Sequence, residues 1–452
     1  MKLLLILTSG LILRLIGLNQ SFWLDEAAQV IESSRPFLQQ FNLAADFHPP
    51  LYHLLLHFWL KGGSSEIWVR LLSVMLGVGS LVYIYRLARI RLNQYLSLAV
   101  TLLLAVSAYH VYYSQEARPY ILFSLLVLVS TYYLMKKNYT AFAVSLIACW
   151  YTSYFTLFLL FGQGLVVYFQ EKKDIKKFIT AFFVSLLFFL PWLPEVKRQL
   201  DVGFGGSFTG WQEVVSFGSF RNLGLTFARF SLGRLNPDNN FLYLLLVSPL
   251  AVFALWSLYE SVVKRKFTEY AILFWGPFTL AILISFFLPV VAPQRLLFLL
   301  PFLYLSIVSH LGGVKVVLYL LIFISLASLA VYYYNPLFQR ENWRAAVSYV
   351  DQTKTESLAV FAFPEPFAPY QLYARYTPAI GAAVNFRVED DDLARLSANL
   401  SGKQKVYLFD YLRELTDPEK KLELEIEAAG FRESSVNNFE GVGFVRTYEK
   451  QL

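Results

Sequence analysis

Ionisable residues are sparse in this chain of 452 residues, and those able to do chemistry gather in a few short stretches. The first is Phe22-Trp23-Leu24-Asp25-Glu26-Ala27, an acidic pair just beyond an apolar run. The second is Asp46-Phe47-His48-Pro49-Pro50-Leu51-Tyr52, and the third runs Tyr113-Ser114-Gln115-Glu116-Ala117-Arg118-Pro119-Tyr120. Arg14 and Arg295 stand singly at the ends of apolar segments. A positioned carboxylate such as Asp25, with Glu26 beside it, can take a proton from a hydroxyl; such general-base catalysis is worth about 10²–10⁴-fold. The planar fork of a guanidinium donates two parallel hydrogen bonds, which suits Arg118, Arg295 and Arg14 to a phosphate on a lipid. Asp46, His48, Glu116 and Tyr113 are candidates for substrate contact.

Each stretch also has a plainer reading. Ser21 can cap a helix whose positive end Asp25 and Glu26 complement. His48 can be a loop histidine held by two prolines, Glu116 and Arg118 can pair with each other, and Arg14 can snorkel outward. No metal-ligand spacing is evident, so no cofactor is required and a divalent ion is unsupported. The sole cysteine, Cys149, excludes an intrachain disulfide and a cysteine-based zinc cluster.

The elements that must position these groups are apolar helices. Hydrophobic residues make up 56% of the chain and charged residues 16%, against about 45–50% and about 25% in ordinary globular proteins. With about 20 apolar residues per crossing, roughly eleven spans are expected. They begin near Leu3, Trp68, Tyr95, Tyr120, Tyr139, Phe155, Phe178, Phe241, Tyr270, Leu296 and Val316, with Tyr151-Thr152-Ser153 as a break between two of them. The first segment has no small-residue cleavage site and is interrupted by Arg14, so it reads as a span and not as a signal peptide. Alternate connections carry Arg86/Arg89/Arg91, Lys136/Lys137, Lys172/Lys173/Lys176/Lys177, Lys264/Arg265/Lys266 and Lys315. That asymmetry predicts a cytoplasmic N-terminus and an outward C-terminus in the cell (plasma) membrane. The net charge of +7 is absorbed by these loops and implies no nucleic acid.

Residues 1–335 thus read as a multi-pass membrane domain whose outer loop 19–67 carries the acidic motif. Residues 336–452 read as a small extracytoplasmic α/β domain. In it a helix opens at Glu341-Asn342-Trp343-Arg344, strands are expected over 358–363, 406–409 and 442–448, and a helix over 418–429. A further outer loop, 194–240, is rich in glycine and aromatic residues (Phe204-Gly205-Gly206-Ser207-Phe208, Trp211) and reads either as a mobile substrate-facing segment or as an interfacial helix.

The set Leu24-Asp25-Glu26-Ala27, His48-Pro49-Pro50-Leu51-Tyr52, Tyr113 to Tyr120 and Asn342-Trp343-Arg344, in that order, resembles the GT-C superfamily of glycosyltransferases. More narrowly it is similar to bacterial and archaeal relatives of the dolichyl-phosphate-mannose protein mannosyltransferases, family 39. The resemblance covers nearly the whole chain. It implies an α-helical multi-pass fold, a polyprenyl-phosphate sugar donor, and inverting transfer to a glycan, lipid or protein acceptor. It places Asp25 at the family's catalytic acidic position with Glu26 as its companion. Two rivals are a transporter or flippase of lipid-linked sugars and a noncatalytic assembly or sensor protein. Transporters keep ionisable residues near the bilayer midplane, whereas here they gather in loops.

Overall fold

The computed structural model describes residues 1–44, 46–204, 220–265, 268–311, 315–352 and 356–451. Gly205-Gly206-Ser207-Phe208, Trp211 and Lys266 of the sequence analysis lie outside the described residues. In chain order the helices are α1 (Lys2–Leu15), α2 (Leu24–Ser34), α3 (Leu51–Trp59), α4 (Glu66–Ala88), α5 (Gln94–Val106), α6 (Ala108–Ser114), α7 (Tyr120–Met135), α8 (Tyr139–Trp150), α9 (Thr156–Gln170), α10 (Ile175–Phe189) and α11 (Leu193–Phe204). They continue as α12 (Phe220–Leu232), α13 (Asn240–Val262), α14 (Glu269–Ser285), α15 (Leu300–Leu311), α16 (Lys315–Tyr334) and α17 (Trp343–Asp351). The tail adds α18 (Ala368–Tyr373), α19 (Asp390–Leu400), α20 (Arg413–Thr416) and α21 (Lys421–Ala428). Its strands are β1 (Ser357–Phe361), β2 (Ala379–Gly381), β3 (Lys405–Phe409), β4 (Phe431–Phe439) and β5 (Gly443–Lys450).

A helix stands at each of the eleven apolar segments, and Tyr151-Thr152-Ser153 does separate α8 from α9. Among the described residues, four helical stretches are long and apolar enough to cross a membrane, one of them the continuous run 172–203 through α10 and α11, or five if the bent pair α5–α6 is one span; five more are apolar but shorter. The chain is a membrane protein by this measure. The region 194–240, expected as an outer segment that is either mobile or an interfacial helix, holds α11 and α12 among its described residues. The span expected from Tyr95 is not straight: α5 and α6 meet at 61°, with Ser107 between them in a non-helical conformation (φ −57°, ψ 115°).

The chain divides into two compact units, and the first outer loop is divided with it. One holds residues 1–18, 36–199 and the described part of 215–338; the other holds residues 19–35, part of 200–214 and 339–452. The first is a helical bundle whose largest core joins α4, α5, α7, α14, α15 and α16 through residues such as Leu104, Val127, Phe274 and Phe302.

The second is a five-stranded mixed sheet in the order β2-β1-β3-β5-β4. β1 runs parallel to β2 and β3, while β5 is antiparallel to β3 and β4. Successive strand side chains point to opposite faces, so β1 feeds two cores. Leu358 and Val360 meet Leu396, Val406 and Ile426 on one face; Ala359 and Phe361 meet Trp343, Val347 and Phe409 on the other. The aromatic face also receives Leu24, which seats the first turn of α2 on this unit.

Candidate functional site

Three polar assemblies hold most of the residues singled out above. The first lies in the helical unit around Asp46, which is 9% exposed. One carboxylate oxygen meets Nδ1 of His48 at 2.7 Å; the other meets Nε2 of His53 at 3.0 Å and accepts from Nη1 of Arg118 at 3.3 Å. His53 reaches the cluster from α3, whose start is fixed by Pro50 and by the Leu51 amide donating to the Tyr151 carbonyl at 2.8 Å. The loop backbone is pinned by Gln199 of α11, which donates to the carbonyls of Leu43 (2.9 Å) and Asp46 (2.7 Å). Glu195, one turn earlier, accepts from the Leu43 amide at 2.7 Å.

Charge in this cluster follows from its surroundings. Burial opposes ionisation of Asp46, but the Arg118 guanidinium and the two imidazoles outweigh it and hold the carboxyl well below its usual range. Burial, aided by Arg118, keeps His48 below its ordinary value although Asp46 pulls the other way. His48 is therefore neutral at pH 7, with Nδ1–H donated to Asp46 and Nε2 left as the acceptor nitrogen. That is the geometry in which an imidazole receives or orients a hydroxyl. Asp46 and His53 also bring a carboxylate and an imidazole close together, two of the group types that suit zinc. In the described arrangement Arg118 already balances the carboxylate. His53 was missed in the sequence because its spacing from Asp46 and His48 matches no compact metal signature.

The second assembly surrounds Arg14, which is fully buried. Its five N–H groups are all used: Nε on Ser114 Oγ (3.1 Å), Nη1 on the carbonyls of Gly10 (2.8 Å) and Ala105 (2.9 Å), and Nη2 on the Leu104 carbonyl (3.3 Å) and His110 Nδ1 (2.8 Å). The break at Ser107 leaves the carbonyls at the end of α5 without helical donors, and in an apolar bundle such groups must be satisfied by protein. Arg14 supplies those donors. The expectation that it snorkels outward or joins a phosphate site is corrected: no exposed surface and no guanidinium N–H remain for it. Gly77 makes the close packing possible, since a Cβ there would lie 2.3 Å from Ser114 Oγ. Gln115 adds hydrogen bonds to the carbonyls of Arg14 (3.2 Å) and Ile16 (2.6 Å), so the end of α1 and the stretch 114–118 are held together.

The remaining residues of that stretch are buried. Glu116 is 1% exposed and Tyr113 3%. The rings of Tyr113 and His48 both pack edge-on to Tyr120, at 5.2 and 5.6 Å. Arg234, not singled out from sequence, lies 5.2 Å from the Tyr112 ring, and the charge of Glu116 reaches it. Arg295 is exposed and donates to the Pro289 carbonyl at 2.6 Å.

The third assembly belongs to the sheet-bearing unit and contains the acidic pair. Asp25 is half-buried in the first turn of α2, while Glu26 is fully buried and forms an ion pair with Arg340 at 3.6 Å. Ser21 does not cap this helix: Trp23 is the N-cap residue, and Ser21 Oγ donates to the Glu341 carbonyl at 2.5 Å. Asn342-Trp343-Arg344 proves to be structural. Asn342 caps α17, Trp343 Nε1 donates to Glu341 at 2.6 Å, and Arg344 donates to the Asn19 carbonyl at 3.0 Å.

Comparison with solved structures decides the fold. The chain superposes on the oligosaccharyltransferase AglB of Archaeoglobus fulgidus with a TM-score of 0.55 at 10% identity, covering 98% of this chain and 74% of that one. The zinc- and sulfate-bound crystal structure of the Archaeoglobus fulgidus oligosaccharyltransferase gives 0.53 at 10% identity, covering 100% and 73%. This is a GT-C fold. ArnT from Cupriavidus metallidurans matches this chain over 98% of its length and 97% of ArnT's own, at 13% identity and a TM-score of 0.49. Residues 47–195 match the family described as dolichyl-phosphate-mannose-protein mannosyltransferase. No curated protein sequence matches this chain. His48, His53, Tyr113, Glu116 and Arg118 all fall within the matched segment, and Asp46 immediately precedes it.

Proposed function

We propose that this protein is an inverting glycosyltransferase that moves a sugar from a polyprenyl-phosphate donor to an acceptor hydroxyl at the outer face of the cell membrane. The observation that carries the reading is the Asp46–His48–His53–Arg118 cluster at the start of the matched segment. The structural relative AglB was solved with a dolichol-phosphate and an inhibitory peptide, which supports a lipid-phosphate donor. The transferred sugar, hexose or pentose, follows from contacts with the sugar ring.

In this reaction the acceptor oxygen forms a bond to the anomeric carbon from the face opposite the phosphate, and the anomeric C–O(phosphate) bond breaks. Asp25 takes the acceptor proton as general base, with Glu26 fixed behind it by Arg340. The electron pair of the broken bond leaves on the polyprenyl phosphate. This leaving group is a stable anion, so no second carboxylic acid is needed, in contrast to a glycosidase. Arg118 stabilises the departing phosphate electrostatically, an effect largest in a water-poor site, and Arg295 is a second candidate for the same duty. Neutral His48 orients the acceptor hydroxyl through Nε2, and Asp46, Glu116 and Tyr113 line the approach. No step in this scheme requires a metal. The N-terminus and basic loops lie in the cytoplasm, and residues 336–452 form an extracytoplasmic domain.

The test is turnover. Purified protein is incubated with a panel of polyprenyl-phosphate sugars and candidate glycan, lipid and protein acceptors, and released polyprenyl phosphate is read by mass spectrometry. Release with at least one donor, dependent on acceptor, is expected. Silence across the panel, with donor bound, would return the flippase reading.

A further inference from the structure

The described residues from Asn42 to Pro50 form no helix or strand, yet Leu43 and Asp46 among them are buried. Buried backbone groups need partners, and here the partners come from one face of α11. Trp192, Glu195 and Gln199 follow at the three- and four-residue spacing of a single face, and all three are buried. Leu193, Pro194, Lys197 and Arg198 are exposed. A buried helix face is ordinarily apolar; this one spends an acid and an amide on the backbone of another segment. Glu195 Oε1 accepts from the Leu43 amide at 2.7 Å. Gln199 Nε2 donates to the carbonyls of Leu43 (2.9 Å) and Asp46 (2.7 Å) and, at longer range, of His48 (3.4 Å). The Leu43 side chain shares an apolar cluster with Trp192, so the loop is held by side chain and backbone together.

The hydrogens in this assembly have one arrangement. An indole N–H only donates, so Trp192 Nε1 gives its hydrogen to Tyr154 Oη at 3.1 Å. Tyr154 has a single hydrogen of its own, which goes to Gln199 Oε1 at 2.5 Å. The amide oxygen of Gln199 is thereby turned toward Tyr154 and its NH2 toward the loop, where carbonyls can only accept. The two short contacts take its two hydrogens, and the His48 carbonyl shares in them. A glutamate at this position has the same size, but when ionised it sets an oxygen against those carbonyls and has no hydrogen to donate.

We infer that Gln199 is a positioning residue for Asp46 and His48: oriented by Tyr154, it grips the loop carbonyls and so fixes where the loop presents those two side chains to substrate. The inference rests on the reading of Asp46 and His48 as substrate contacts. His53 and Arg118 reach Asp46 from other parts of the chain, at 3.0 and 3.3 Å. The four groups meet only while the loop backbone keeps its place. The Arg118 contact is already at the long end of the hydrogen-bond range, so a retreat of the loop by about 0.5 Å would break it. The same retreat would swing His48 away from Tyr120, on whose ring it packs edge-on at 5.6 Å.

A purely structural role, satisfaction of buried carbonyls and nothing more, makes a different prediction. Losing Gln199 would then lower stability, donor binding and transfer together. A positioning role separates them. Arg118, which the proposed reaction assigns to the donor phosphate, lies in a stretch held by bonds of its own: Gln115 donates to the carbonyls of Arg14 (3.2 Å) and Ile16 (2.6 Å). Donor binding therefore survives a loosened loop, whereas the step that needs His48 in place does not.

The experiment compares full-length wild type with Gln199→Met, Gln199→Glu, Tyr154→Phe and the exposed control Lys197→Ala. It measures amide exchange at Leu43 and Asp46 by mass spectrometry, binding of a labelled polyprenyl-phosphate sugar, and kcat. In Gln199→Met exchange at the two amides should quicken about tenfold as the loop opens locally. Its kcat should fall by roughly 10²-fold, as for a group misplaced by about 1 Å, with donor affinity held. Gln199→Glu, matched in size, should lose at least as much. Tyr154→Phe, which removes only the orienting bond, should lose about fivefold in kcat, and Lys197→Ala should match wild type. Unchanged exchange in both Gln199 variants would overturn the inference, and so would wild-type kcat in them despite a loosened loop. Equal losses of donor binding and transfer, in the milder Tyr154→Phe as in Gln199→Met, would also overturn it by showing a structural role only. Wild-type protein that transfers from no donor would instead fail the transferase reading, while the exchange data still decide whether Gln199 holds the loop.

Discussion

Replacing Arg118 with alanine tests the charge balance of the Asp46 cluster. The guanidinium is 10% exposed and the Asp46 side chain 8%, so the pair is largely out of water. Removing one partner of such a pair costs about 3–5 kcal/mol, because the other charge stays buried. Here the cost has an outlet. Burial is the main cause holding His48 below its ordinary value and Arg118 a lesser one; without Arg118, His48 beside Asp46 takes up a proton more readily as pH falls and becomes the replacement cation.

Each pH unit below the new His48 value then recovers about 1.4 kcal/mol. A penalty of about 3 kcal/mol at pH 8 should therefore be smaller at pH 6. Wild-type protein should behave oppositely. Its His48 resists protonation, so its stability declines as pH falls below about 6.5 while the unfolded chain takes up the proton. The contribution from depressed Asp46 is lost only on acidification below about 4, outside this window. Thermal unfolding of both proteins in one detergent at pH 6, 7 and 8 gives the gap directly. A gap that is constant across pH, or widens at pH 6, would refute the proposed charge arrangement.

Two further substitutions probe the supports. Glu26→Leu or Arg340→Met alone should destabilise by about 3 kcal/mol or more, since each strands a buried charge, whereas the double variant should recover much of the loss; thermal midpoints of the three variants and wild type form the cycle. Arg14→Lys should fail to substitute for Arg14, because an ammonium has three donors where five acceptors wait. A drop of several degrees in midpoint, close to that of Arg14→Met, is expected.

Much of this architecture is legible in the chain. Apolar length located a helix at each of the eleven segments, and the polar triplet at Tyr151 marked a true break, because both signals are local. The second break, at Ser107, was hidden: Leu104 to Val111 is apolar throughout except for Ser107 and His110, and Arg14, whose side chain stabilises the bend, lies about 90 residues away. In the tail, β1, β3 and β5 showed through their apolar runs. β4 did not, since its exposed Arg432-Glu433-Ser434-Ser435 edge carries no alternation, and three-residue β2 is too short to register.

Residue types singled out Asp46, His48 and Arg118, which the fold brings together, but partners are a property of the fold. Glu341 was read as the start of a helix, not as the acceptor for Trp343 and Tyr411. His53 looked like one more residue of an apolar turn. Arg14 looked like an anion ligand because its five acceptors, four of them distant in sequence, carry no mark in the chain.

The central claim is a division of labour between a base and a phosphate clamp, and single-turnover transfer from a labelled polyprenyl-phosphate sugar separates the two. Asp25→Asn should bind donor with wild-type affinity and transfer at least 10²-fold more slowly, while Arg118→Gln should weaken donor binding and slow transfer together. Transfer by Asp25→Asn at the wild-type rate, or wild-type binding and transfer by Arg118→Gln, would contradict the account.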